Sequence, residues 1–175
     1  KTGLIGAFLV AEPEIPVSNR LPERLTTVML TGVTALVRGT ASTMEGRGMT
    51  YPAQDIGDWL READILHINN EIPFVEGCPA PFPWTNGLVF CSQPRYIELL
   101  DYIGTDVMDL SGDHFADWGP QAMLYTLDLY AEREWPVYGG GANIEEAKKP
   151  ALFEHNGNRI AFIGCNYKAK GYATA

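Results

Sequence analysis

Three times between residues 26 and 119, a short apolar run stops at a cluster of polar and small residues. Thr26–Leu30 runs into Thr31–Thr34, Asp64–Ile68 into Asn69–Glu71, and Asp106–Leu110 into Ser111-Gly112-Asp113-His114. β-Branched and apolar runs of this length read as buried strands. Segments of helical periodicity alternate with them. Ile56, Trp59, Leu60 and Ala63 recur at i, i+3, i+4, i+7 within 52–63, and Pro52 suits a first helical turn. Tyr96, Ile97, Leu100 and Ile103 share a face of a helix over 94–103 that Gly104 ends, and Met123, Leu124, Leu127, Tyr130 and Ala131 share one over 120–134. This alternation predicts an α/β domain. Three shorter elements complete it. Leu88–Phe90 reads as a strand. Asn143–Lys148 reads as a helix with a capping box from Asn143 to Glu146. Two strands flank Asn156-Gly157, a pair that accepts the positive φ of a tight hairpin.

Residues 1–24 break the pattern with Pro13, Pro16 and Pro22 and read as a linker or the tail of an upstream domain, leaving 25–175 as the α/β domain. The chain begins at Lys1 rather than Met, so a longer parent protein is expected. No apolar run approaches the roughly 20 residues of a membrane span, so membrane attachment is expected only through parts outside this chain. A half sheet with open edges is prone to pair with another copy, which makes a homo-oligomer an expectation.

Charge narrows the partners. Lys and Arg total 13 against 22 Asp and Glu, a net charge of −9, with no basic run. Phosphate contacts dominate nucleic-acid affinity and need a basic stripe, so nucleic acid is excluded as the expected partner. Cys78 and Cys91 flank the proline-rich stretch 79–87. They form either a loop-closing disulfide, as suits an extracytoplasmic protein, or two thiols. Cys165 is then a buried apolar residue or has its partner elsewhere.

In open α/β sheets, ligands bind beyond the carboxyl ends of the strands, so the three polar clusters should share one rim. The stretch Gly112-Asp113-His114-Phe115-Ala116-Asp117-Trp118-Gly119 is the densest in chemistry. Carboxylate with imidazole suits a divalent ion such as Mn, Zn or Fe, and His beside Asp suits acid–base work. The same spacing equally suits a helix cap at Asp117 or Gly119, with Asp113 and His114 bonded to loop backbone. Glu71 can complete a metal shell or sit in a surface turn. Arg38 can clamp a phosphate or carboxylate, or simply be solvated. His67, mid-strand, reads as a structural histidine facing the opposite layer. Trp84, Trp118 and Trp135 can form a platform for a polymer, though core or rim packing suits each better.

The ordered series resembles the CapA, or PgsA-like, family of bacterial poly-γ-glutamate capsule-synthesis proteins. Gly32-Val33-Thr34-Ala35-Leu36-Val37-Arg38 stands where the family has Gly-Asp-x-x-x-x-Arg. Asn69-Asn70-Glu71 matches Asn-x-Glu, and Asp113-His114-Phe115-Ala116-Asp117-Trp118-Gly119 matches Asn-His-x-x-Asp-x-Gly. Gly139-Gly140-Gly141, Glu146-Ala147, Pro150 and the segment 157–164 follow in family order. Two positions depart: Val33 replaces the family's aspartate, and Asp113 replaces its asparagine.

The resemblance implies a layered metallophosphatase-like α/β/β/α fold, of which this chain would be the N-terminal part; a later His-containing motif would lie beyond Ala175. It implies a metal held by Glu71, Asp113 and His114, with His114 and Asp117 as the catalytic pair. Arg38 and Asn69 would bind an anionic substrate group. The implied role is capsule synthesis, anchoring or release at the cell surface, by metal-assisted hydrolysis or transfer at a phosphoester or γ-glutamyl bond of an anionic polymer. A polymer-binding or scaffold module with a degenerate metal site is the alternative.

Overall fold

A computed structural model describes residues 21–84 and 86–166. The expected linker at 1–24 lies outside the described residues except for 21–24, where Pro22–Arg24 form a 3-10 turn. Four strands make a parallel sheet: β1 (Val28–Val33), β2 (Ile65–Asn69), β3 (Val107–Asp109) and β4 (Val137–Tyr138). Their spatial order follows the chain. Every crossover therefore steps in the same direction, and right-handed crossovers of that kind put their helices on one face.

The packing bears this out. Helices α1 (Arg38–Arg47), α2 (Gly57–Arg61), α3 (Ile97–Tyr102) and α4 (Gly119–Ala131) fill the crossovers. Leu66, Ile68, Met108 and Leu110 pack under them with Met44, Leu100 and Tyr130. On the other face Ile65, Val107 and Tyr138 meet Ala151 and Phe162. Those two belong to a hairpin, β5 (Ala151–His155) and β6 (Asn158–Phe162). Burial on both faces explains why β2 reads as a nearly unbroken apolar run. The hairpin turn has φ 49° at Asn156 and 73° at Gly157, as Asn-Gly predicts. Asn156 Nδ2 donates to the Leu25 carbonyl and Asn158 Nδ2 to that of Arg24, tying the hairpin to the entrance of β1.

The short helix α5 (Ile144–Ala147) has the expected capping box: Asn143 Oδ1 accepts from the Glu146 N–H at 3.0 Å. Other elements differ from expectation. The helix expected over 52–63 breaks into a 3-10 turn at Tyr51–Ala53 and the short α2. Ile56 leaves helical geometry between them (φ −121°, ψ −9°), which resets the register. Ile56 and Trp59 end 48% and 60% exposed, so their spacing marked no buried face. Leu88–Phe90 is loop rather than strand; the pairing nearby is an isolated bridge between Phe74 and Ser92. Helix α1 was not legible. Its sequence offers only Ala41 and Met44 as an apolar i, i+3 pair, and both are buried.

Candidate metal centre

Glu71 follows β2, and Asp113 and His114 follow the neighbouring β3, so parallel pairing brings them to one rim. One ligand atom from each of the three lies within 4.8 Å of the others. Two loop features make this approach possible. Asn70, fully buried, donates through Nδ2 to the Ile72 carbonyl and to Tyr130 Oη of α4, which anchors the loop that presents Glu71. Gly112 leaves room for it: a β-carbon there would sit 2.5 Å from Cγ of Glu71.

The carboxyls of Glu71 and Asp113 are close enough to share a hydrogen bond. Burial first, and then that bond, push the Glu71 carboxyl above its usual range, while His114 and the Asp113 N–H act in the other direction. Two carboxylates forced together favour either a shared proton or a cation between them. His114 completes the donor set. Its Nδ1–H donates to Oδ2 of Asp117 at 2.8 Å. A carboxylate can only accept, so Nδ1 carries the proton of this bond and Nε2 is the nitrogen that would face a ligand. The donor set of two carboxylates and one imidazole fits a divalent ion.

Asp117 does not cap α4. The N-cap position belongs to Trp118, which makes no side-chain cap, and Asp117 Oδ2 instead accepts from His114 and from the Phe90 N–H at 2.7 Å. Phe90 sets its ring edge-on against His114, with centroids 4.7 Å apart. On Phe90 also rests the guanidinium of Arg38, 4.7 Å from the ring centre, while Arg38 Nη2 donates to the Gly87 carbonyl at 2.7 Å. Arg38 Nε is buried with no hydrogen-bond partner among the described residues. Thus Arg38 reaches the rim through Phe90.

Asn69 does not join these residues. Strand alternation turns it to the hairpin side with His67. There its Nδ2 donates to Asp109 Oδ2 at 2.7 Å. Asp109 Oδ1 accepts from the Ser111 N–H and hydroxyl. Val33 pairs in register with Asn69, on the exposed edge strand, and is 61% exposed. His67 is structural as expected: 5% exposed, it meets the Tyr138 hydroxyl at 2.6 Å and stacks on Phe162. Burial lowers its pKa against the pull of Asp109.

Cys78 and Cys91 form a disulfide. Cys165 is an exposed free thiol, which sets aside the buried one of its two alternatives. Trp135 packs against the main core, but Trp84 is 81% exposed, so packing does not account for it. Reasoning from residue types missed two participants. Asp109 sat inside a predicted strand, where a carboxylate within an apolar run was the available signal. Phe90 acts through its backbone N–H and ring, which residue type does not announce.

A profile of the family described as bacterial capsule synthesis protein PGA_cap matches residues 27–175. The chain belongs to that family. It is also 23% identical over 169 residues to the capsule biosynthesis protein CapA of Bacillus anthracis, covering 92% of this chain and 41% of that protein. The chain thus spans about two fifths of its relative's length. The donor set above includes Asp113 and does not include position 33.

Proposed function

We propose that this PGA_cap domain acts in capsule synthesis outside the cytoplasm, as a metal-dependent hydrolase or transferase at a phosphoester or γ-glutamyl bond of an anionic polymer. The observation that carries the reading is the convergence of Glu71, Asp113 and His114 within 4.8 Å. These three would hold a manganese, zinc or iron ion. Such an ion would polarise a phosphoryl or carbonyl oxygen, or lower the pKa of water. Asp117 would keep the His114 Nδ1 protonated and the imidazole aligned. Arg38 would hold a carboxylate or phosphate of the polymer and offset the acidity of the rim. Asn69, on the hairpin side, would serve substrate only indirectly, through the strand end that it shares with the Glu71 loop. The Cys78–Cys91 disulfide suits an oxidising compartment.

The test is turnover of an aryl phosphoester and of poly-γ-glutamate by the purified chain with manganese, compared with His114→Ala. Manganese-dependent turnover lost in the variant supports the reading. Polymer binding without turnover would favour the alternative, a binding module, to which Val33 in place of the family's aspartate also points.

A further inference from the structure

The longest uncharged stretch of this chain, whose net charge is −9, runs between Glu76 and Arg95. It contains the loop 79–90, closed at its neck by the Cys78–Cys91 disulfide. On that loop Phe82, Trp84, Leu88 and Val89 are all between 63% and 81% exposed. Phe82 and Val89, from opposite arms, line one cleft together with Trp118, so the apolar surface is continuous across the arms. Large apolar side chains gathered in this way and left in water mark an interaction site. The loop is also fastened in place. Ser92 pairs with the 73–75 segment just past the neck, and Arg38 Nη2 donates to the Gly87 carbonyl. A preformed surface loses little freedom on binding.

The chemistry of the loop says what covers it. Thr85 and Asn86 are the only hydroxyl or amide side chains from 79 to 90, and no charge stands among them. A protein partner is met through a polar and charged rim, which this stretch lacks. Pro79, Pro81 and Pro83 have no N–H, so the first arm carries few backbone donors to strand where water is thin. Trp84 joins an apolar ring to a single N–H, the combination that suits the level of lipid headgroups. A domain of a capsule-synthesis family has a bilayer within reach at the cell surface.

We propose that this loop docks the domain on a lipid bilayer, with Phe82, Trp84, Leu88 and Val89 at the level of the headgroups and upper acyl chains. The contact is peripheral and needs no span; among the described residues no helix is long and apolar enough to cross a membrane. It stands whether or not the neighbouring rim holds a metal. The experiment is co-sedimentation of the chain with phosphatidylcholine vesicles, and with vesicles in which part of that lipid is replaced by phosphatidylglycerol. The double variant Phe82→Ser with Trp84→Ser removes two exposed rings, and Leu152→Ser, exposed on β5, is the control. The unchanged chain should bind phosphatidylcholine saturably. The double variant should bind about 10-fold more weakly or less, as the loss of two large buried side chains implies, and the control should match the unchanged chain. Phosphatidylglycerol should weaken binding at low salt, because the acidic chain is repelled, and salt should restore it. No binding of the unchanged chain to phosphatidylcholine, or equal binding by the double variant, would overturn the proposal. So would a dimer in the absence of lipid that the double variant abolishes, with no vesicle binding, since the loop would then serve a second copy of this chain.

Discussion

Gly112 and Glu71 are in such close contact that any β-carbon at Gly112 would lie 2.9 Å from the Glu71 Cα as well as against its side chain. A backbone atom cannot yield as a flexible side-chain end can. Gly112→Ala should therefore push apart the loops that follow β2 and β3. Overpacking of this kind costs about 1–3 kcal/mol. Urea denaturation should show that loss, and manganese affinity should fall with it. Unchanged stability would mean that the loops separate freely.

Thr126 tests the account of how the loop after Glu71 is braced. It lies fully buried in α4, accepts from the Phe74 N–H at 2.8 Å and donates to the Ala122 carbonyl at 2.7 Å. Thr126→Val keeps the shape and leaves the Phe74 N–H unsatisfied. The expected cost is about 1–3 kcal/mol in unfolding free energy. A thermal midpoint equal to that of the unchanged protein would show that the N–H finds another partner.

Acid should weaken the hairpin side of the sheet. The folded pKa of His67 lies below the ordinary histidine value of 6.5 because burial opposes the charge. Below about pH 6.5 the unfolded chain takes up a proton that the folded chain resists. Stability contributed by this group is then full above that pH and declines as pH falls toward the folded pKa, with a slope of at most about 1.4 kcal/mol per pH unit. Glu71 acts with the opposite sign, since its raised pKa lets the folded state keep a proton that the unfolded state loses as pH rises above 4.5. The two separate by substitution. His67→Phe should flatten the decline below pH 6.5 relative to the unchanged protein; parallel profiles would contradict the assignment to His67.

The Cys78–Cys91 bridge joins residues separated by 13 positions. Cross-linking a loop of that size stabilises by about 3 kcal/mol on the chain-entropy view. Paired substitution by serine should lower the unfolding free energy by that order. A loss below about 1 kcal/mol would show that the Ser92 pairing alone closes the loop.

Much of the rim was legible because it depends on period and punctuation. Strand runs that stop before Asn69 and Ser111 put Glu71 and His114 on one rim. Asn143 with Glu146, and Asn156 with Gly157, are local devices whose geometry follows from two or three residues. The rest depends on partners distant in sequence. Ala41 and Met44 cannot announce α1, because their burial is decided by the sheet. Ile56 and Trp59 kept helical spacing yet face solvent, because the chain turns between Tyr51 and Gly57. Asp117 was legible both as a cap and as a partner of His114; it takes the second part, and the Phe90 N–H, from 27 positions earlier, is the contact that local sequence did not announce. Asn69 matched a family motif but points to Asp109, since strand alternation sends it to the face opposite its neighbour in sequence.

The central claim is that Glu71, Asp113 and His114 form a divalent-metal site without a carboxylate at position 33. Calorimetric titration of manganese into the chain, beside His114→Ala, tests it most directly. The account predicts saturable binding at one site, weakened about 10-fold or more in the variant, with binding retained although residue 33 is valine. Absence of saturable binding in the unchanged chain, or equal affinity in both proteins, would contradict it.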